Sequence, residues 1–491
     1  MGCVDEMPLT EQKICLALKG LETIETMNTF TDTLVFDPQI IRRFDINGPR
    51  YTSYPTADRF HDGFTAEAAR HWLGERTRGA ARQALSLYFH IPFCNTICYY
   101  CACNKIITKD HGRSAKYLKY LARELALQSS FLAEGDNVVE QLHWGGGTPT
   151  FLSHDEMRQL MAATRKHFRL IEDGEYSIEV DPRKVDRATV ELLGELGFNR
   201  MSVGVQDFDE RVQQAVNRIQ SEAETMAVID AARANGFKSI SIDLIYGLPR
   251  QTVEGFDRTL DRVLAASPDR LSIYNYAHLP TLFKPQRRIL ESDMPTADNR
   301  LQILSRAIGK LTDAGYVFIG MDHFAKPDDE LAVAQREGRL HRNFQGYSTH
   351  SDCDMMSFGI SSISKVGPSY YQNVKTLDEY YDSLDKGVLP VFRGIELDAD
   401  DILRRSIIQS LMCHFELSMD AVEARHSVDF RAYFATELEA LREMEEGGLL
   451  RIEERRIVVL PPGRMLVRAI SMAFDKFLRA DREKKRYSKV I

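Results

Sequence analysis

"SLYFHIPFCNTICYYCACNK" (86–105) runs from a short β-type stretch directly into a loop with four thiols, Cys94, Cys98, Cys101 and Cys103. Half of the chain's eight cysteines lie there. A disulfide framework spreads paired cysteines through a small secreted chain. Eight cysteines in 491 residues are too few for one, which favours a reducing compartment. The spacing Cys-x3-Cys-x2-Cys suits another use. Three thiolates this close wrap one face of a cubane iron–sulfur cluster and leave its fourth iron open to a small molecule. Tetrahedral zinc is the rival reading, but it asks for a different ligand count and spacing.

Outward from this loop the sequence becomes rhythmic. The β-type runs "SLYFH" (86–90), "QLHW" (141–144), "YSIEV" (176–180), "RMSVGV" (200–205), "SISIDLI" (239–245) and "LSIYNY" (271–276) alternate with long amphipathic helical stretches. Strand, helix and strand at this spacing predict crossovers and a parallel sheet. The runs end in "HIPFC", "GGGTPT", "EVDP", "GVQDF", "DLIYGLP" and "NYAH", polar or glycine-rich just after an apolar strand. In a β/α barrel the carboxyl ends of the strands form one active-site face. The fold class expected is α/β, a partial parallel β/α barrel with an N-terminal arm and a mainly helical C-terminal domain.

The expected divisions are an extension over 1–36, an arm over 37–85, the barrel over 86–370 and the helical domain over 371–491. The arm carries "GPRYTSYPTADRF" (48–60), and "YVFIGMDHFA" (316–325) reads as a further strand. Residues 340–364 form a Gly/Ser-rich polar-aromatic segment. The last part reads as helices followed by a hairpin. A formal charge of −8 without a long basic run argues against nucleic acid, and no apolar stretch approaches a membrane span. The extension has no basic start followed by an apolar block, so no leader is evident and a cytoplasmic place is expected.

The cysteine spacing after "YFHIPF" resembles that of radical S-adenosylmethionine enzymes. Over residues 40 to 491 the chain is similar to the oxygen-independent coproporphyrinogen III oxidase family. The stretches that carry the likeness include "GPRYTSYPTA", "HIPFCNTICYYCACNK", "QLHWGGGTPT", "GFNRMSVGVQDF", "HRNFQGY" and the terminal "YSKVI". The resemblance implies one [4Fe-4S] cluster on Cys94, Cys98 and Cys101 and two S-adenosylmethionine molecules. It assigns cofactor contacts to Tyr88, Gly146, Gly147, Thr148, Glu179, Gln206, Arg218, Asp243, Ala277 and Ile363, without dividing them between the two molecules. Gly145 belongs to the same turn, where backbone approaches a ligand closely. Cys103 is left over from the cluster and is expected beside the second cofactor or the substrate.

The implied substrate is coproporphyrinogen III, whose ring A and B propionates become vinyl groups. Arg50, Lys326 and Arg342 are its candidate carboxylate anchors, and Tyr51 and Tyr54 either cover the macrocycle or pack in the core. The implied electron donor is a flavodoxin or ferredoxin system, and the implied state is a monomer. Two other readings stand beside this one. A related haem chaperone would retain haem without turnover, and a radical enzyme acting on tRNA would need a basic surface.

Overall fold

The computed structural model describes residues 34–76, 83–350, 353–480 and 491. Residues 1–33 of the expected extension, and residues 487–490 of the terminal "YSKVI", lie outside them. The first barrel strand, β1 (Leu85–Ile91), is buried along nearly its whole length, as a central parallel strand with both faces covered must be. Five more follow at the expected places: β2 (Val138–Gly146), β3 (Arg169–Val180), β4 (Arg200–Gln206), β5 (Ser239–Tyr246) and β6 (Arg270–Asn275). The helices α1 (Gly112–Ser129), α2 (His154–His167), α3 (Arg187–Glu195), α4 (Glu222–Ala234) and α5 (Val253–Ala266) carry the crossovers that parallel pairing demands. Ser153 and Ser221 start α2 and α4 with capping boxes.

The remaining strands extend this sheet on both sides. They are β7 (Val317–Gly320), β8 (His323–Ala325), β9 (Asp354–Phe358), β10 (Ile363–Val366), β11 (Ser369–Asn373) and β12 (Val391–Glu396). The twelve-stranded order is β12-β11-β10-β9-β1-β2-β3-β4-β5-β6-β8-β7. Strands β9 and β1 to β6 run parallel, and both flanks are antiparallel. The two ends of the ladder do not pair, so the barrel is partial.

Three expectations change. "YVFIGMDHFA" is two antiparallel strands, because Gly320 and Met321 take positive φ (144° and 54°) and turn the chain back. The 340–364 segment contains a small hairpin, His341–Asn343 with Gly346–Ser348, and the fully buried β9, a seventh parallel strand beside β1. The expected boundary between 370 and 371 falls within β11; a helix over Leu377–Asp385 follows, and the sheet then continues to Glu396 before α6 (Ala399–His414).

The C-terminal unit adds a three-stranded sheet (Glu416–Ser418, Leu450–Ile452, Arg456–Val459) and a short helix, α7 (Val467–Ser471). The arm joins it to the barrel. Phe60 and Phe64 stack on Tyr370 and Tyr371 of β11, with centroids 6.0 and 5.9 Å apart. Tyr51 and Tyr54 are core aromatics: the Tyr51 hydroxyl donates to Asp475 at 3.0 Å, and that of Tyr54 accepts from the Lys476 amide at 3.1 Å. Among the described residues no helix is long and apolar enough to cross a membrane.

One buried ion network ties the base of the sheet together. Arg76 reaches Asp136 at 2.8 Å and Asp354 at 2.9 Å, with all three side chains at most 5% exposed. Removing the guanidinium strands two buried carboxylates. Arg76→Leu is expected to cost about 3–5 kcal/mol in denaturant unfolding; a loss below about 1 kcal/mol would show that the network contributes little.

Candidate active site

The cysteine loop leaves β1 and is pinned from two sides. Phe93 and Cys94 pair with Ile106 and Ile107, which closes the loop on itself. The turn after Glu210–Ala215 then packs against it: the Tyr99 amide donates to the Val216 carbonyl at 2.9 Å, and Asn217 Nδ2 donates to the Ile97 carbonyl at 2.7 Å. Next in this turn is Arg218, fully in the interior, with Nη1 3.7 Å from Cys98 Sγ and Nη2 donating to the Gly204 carbonyl at 2.6 Å. Arg183 Nη2 lies 3.8 Å from the same sulfur and pairs with Asp181 at 2.6 Å.

The glycine turn after β2 faces this loop. The Gly147 amide donates to the Ile91 carbonyl at 2.8 Å, and a Cβ there would fall 2.7 Å from the Pro92 carbonyl. Gly146 has φ of 113°, and a Cβ on it would strike the His90 ring at 2.6 Å. A side chain at Gly145 would meet Glu179 and His143, both at 2.9 Å. Backbone alone fits here. Thr148 Oγ1 donates to Cys94 Sγ at 3.4 Å, so turn and cysteine loop are in contact.

These elements enclose a cavity of about 190 Å³. Cys94, Cys98, Cys101 and Cys103 line it, with Gly146, Gly147, Thr148, Glu179, Gln206, Arg218 and Asp243. Gln206 enters at a break in the β4–β5 register with φ of 70°, and Gly204 beside it leaves room for Gln206 and Arg218. A second cavity of about 320 Å³ adjoins the first and shares Cys103, Gly146 and Glu179 with it. Tyr88, stacked on His143 at 5.8 Å, and Ile363 line only this second one.

Not every expected residue is gathered. Ala277 follows β6 and lines neither cavity. Lys326 sits at the opposite end of the barrel: the preceding Ala325 pairs with Arg270 at the start of β6, and its ammonium is held by Asp269 at 3.3 Å and the Ser267 carbonyl at 3.0 Å. Arg50 and Arg342 both turn inward, beside Tyr274 and Tyr347. The sequence reading passed over Asp181, Arg183, His90 and His143. The inward alternation of "QLHW" and the Arg of "EVDPR" were the available signals.

The site's electrostatics favour a bound cluster. Burial pushes the Cys94 thiol up to about 11, whereas a hydrogen bond with Cys103 draws Cys101 down to about 6, aided by Lys105. Three thiolates accumulate negative charge, and Arg183, Arg218 and Lys105 offset it. This donor set fits an iron–sulfur cluster. Burial opposes the charge of Glu179, but bonds from His143 and the Gly146 amide at 3.0 Å outweigh it and hold the carboxyl below its usual range. Burial, with Glu179 nearby, instead pushes Asp243 up to about 6, despite Ser202 Oγ donating at 2.7 Å.

Residues 88–263 match the radical SAM superfamily, and residues 397–466 match the HemN C-terminal domain. The oxygen-independent coproporphyrinogen III oxidase of Pseudomonas aeruginosa is 52% identical over 462 residues, covering 94% of this chain and 100% of that protein. That of Escherichia coli is 47% identical over 456 residues, 93% of this chain and 98% of its own. This chain belongs to the oxygen-independent coproporphyrinogen III oxidase family. The solved Escherichia coli coproporphyrinogen III oxidase, described as a radical SAM enzyme, matches with a TM-score of 0.86 and 46% identity, over 91% of this chain and 100% of that one. Membership of this radical SAM family brings a [4Fe-4S] cluster and S-adenosylmethionine to the site.

A raised carboxyl stabilises the fold only while protonated. Its contribution is fully present below about pH 4 and is lost as pH rises through about 6. In cofactor-free protein, Asp243→Asn is therefore expected to match the parent near pH 4 and to exceed it by about 1–3 kcal/mol at pH 7.5 in urea unfolding. A pH-independent difference would contradict the assignment.

Proposed function

We propose that this chain oxidatively decarboxylates the ring A and B propionates of coproporphyrinogen III to the vinyl groups of protoporphyrinogen IX, without oxygen, in porphyrin biosynthesis. The observation that carries this reading is the four-thiol loop opening onto the cavity of Glu179, Gln206, Arg218 and Asp243, in a chain matched over its length by these oxidases. When bound, the cluster and S-adenosylmethionine would supply the one-electron chemistry that removes hydrogen from each propionate, with an external acceptor taking up the electron released along with carbon dioxide.

Cys94, Cys98 and Cys101 hold the cluster in this reading, and Arg218 and Arg183 offset its charge. Gly146, Gly147 and Thr148 offer backbone to the cofactor's methionine end, while Gln206 and Asp243 hold its sugar and base. Tyr88 and Ile363 bind the second S-adenosylmethionine in the adjoining cavity, and Gly146 and Glu179 serve both. Ala277 is assigned only from the family pattern. Cys103 stands where the two cavities meet, facing the second cofactor. Arg50 and Arg342 anchor substrate carboxylates, and Lys326 takes no part. No step needs a paired acid and base; the chain positions the reactants and excludes water.

The reading also places the chain in the cytoplasm as a monomer served by a flavodoxin or ferredoxin, independent of nucleic acid and membrane. The net charge of −8 supports independence of nucleic acid, and the lack of a long apolar helix among the described residues supports independence of a membrane. It divides the chain into an extension, an arm, a barrel reaching Glu396 and a helical C-terminal domain.

The deciding experiment is anaerobic reconstitution with iron and sulfide, then product analysis with coproporphyrinogen III. Vinyl product with released methionine is expected. Haem retention without turnover would favour a chaperone, and full activity in air without iron would refute the reading.

Replacing Cys94, Cys98 or Cys101 with Ser should abolish the cluster absorbance, whereas Cys103→Ser should keep the iron and lose most turnover. Iron loss in Cys103→Ser would make it a ligand; unchanged turnover would reduce it to packing.

A further inference from the structure

Three guanidinium groups, from three separate parts of the chain, lie near enough to act on one another's charge. Arg50 comes from the arm, Arg342 from the His341–Asn343 strand and Arg468 from α7. Their neighbours are aromatic. Arg342 lies over the Tyr347 ring at 4.7 Å and Arg50 over the Tyr274 ring at 5.9 Å. His323 fills the space between, 5.9 Å from the Tyr274 ring and 5.2 Å from that of Tyr347.

Among the described residues, Asp322 and Asp45 are carboxylates that act on this cluster. Arg50 pairs with Asp322. Arg342 is only 4% exposed, no carboxylate pairs with it among the described residues, and its Nε and Nη1 are buried without a hydrogen-bond partner. His323 Nδ1 is likewise buried and unpartnered. Burial and the adjacent arginines hold His323 well below its usual range, so it stays neutral. Burial, Arg50 and Arg342 press Arg468 down to about 9. An arginine is not relieved by losing its proton, and an uncompensated buried guanidinium costs several kcal/mol. The planar fork of Arg342 points instead to an anion of matching geometry, a carboxylate.

The cluster borders the cofactor cavity. Asp243 of β5, which lines that cavity, pairs in register with Ser272 of β6, two residues before the Tyr274 that underlies Arg50. Arg468 acts at one remove. Its Nε donates to the Pro49 carbonyl at 3.0 Å and its Nη2 to that of Gly48, so it grips the two residues before Arg50.

We propose that Arg50 and Arg342 form an internal subsite for one substrate propionate, with Arg468 as the positioning residue that sets Arg50 from the C-terminal unit. The arm and the C-terminal unit then complete the substrate site that the barrel begins. This rests on the reaction assigned above. That reaction supplies a substrate bearing several carboxylates beside the cofactors.

The test is a fluorescence titration of reconstituted protein with coproporphyrin III, the stable oxidised form of the substrate, alongside anaerobic turnover of coproporphyrinogen III. Arg342→Gln and Arg50→Gln are expected to weaken porphyrin binding at least 10-fold, with iron content and the KM for S-adenosylmethionine unchanged. Arg468→Ala should weaken it comparably in the parent but less than 2-fold further in Arg50→Gln, because it acts through Arg50. The tetramethyl ester of coproporphyrin III should bind parent and variants alike. If Arg342→Gln loses its cluster, Arg342→Lys, which keeps the charge without the fork, should show an intermediate loss of binding. Unchanged binding in Arg342→Gln or Arg342→Lys, or a full multiplicative loss on adding Arg468→Ala to Arg50→Gln, overturns the subsite. Absence of vinyl product from the parent overturns the reaction instead, and the binding titration still decides the subsite.

Discussion

The ends of β1 and β2 touch backbone to backbone. The Gly147 amide reaches the Ile91 carbonyl at 2.8 Å, and no side chain fits between Gly147 and Pro92. This contact fixes the cysteine loop against the glycine turn, and with it the distance between the thiols and every residue on the later strands. Parallel strands place their carboxyl ends together, so Glu179 of β3, Gln206 of β4 and Asp243 of β5 all reach the same cavity. Without this close approach the barrel would have the residues but not the site.

Charge is the second constraint. The chain is acidic overall, yet its cavities are bordered by buried cations. Arg218 and Arg183 flank Cys98 where thiolates gather, and Asp181 holds the two arginines in place, at 3.5 Å from Arg218 and 2.6 Å from Arg183. Elsewhere, Arg50 and Arg342 lie over the rings of Tyr274 and Tyr347, and Arg342 has no carboxylate partner among the described residues. The first group answers the charge of a resident cluster. The subsite proposed above gives the second an anion that comes and goes. Opposite pressures on Glu179 and Asp243 follow from the same geometry: two carboxylates share a cavity, and the donors around Glu179 outweigh burial while those around Asp243 do not.

The sequence reveals most of the fold wherever one element carries its own signal. Strands β1 to β6 are legible because each is an apolar run closed by a distinctive polar or glycine turn, and the thiols lining the cavity because they occupy one loop. Strand β9 is not, because "DMMSF" is short and mixes Met and Ser without alternation, although all five residues are buried. The turn at Gly320 and Met321 depends on backbone angles that Met does not advertise. Lys326 lies in a strongly resembling stretch but at the wrong end of the barrel, which only the β8–β6 register reveals. Arg468 grips a carbonyl 420 residues away, a separation no local pattern records.

The central claim is that three cysteines hold the cluster and leave one iron open to S-adenosylmethionine. Electron paramagnetic resonance of the reduced, reconstituted protein tests it most directly. The account predicts a [4Fe-4S] signal whose shape changes when S-adenosylmethionine is added, in the parent and in Cys103→Ser alike. A signal indifferent to S-adenosylmethionine, as four thiolate ligands would give, contradicts it.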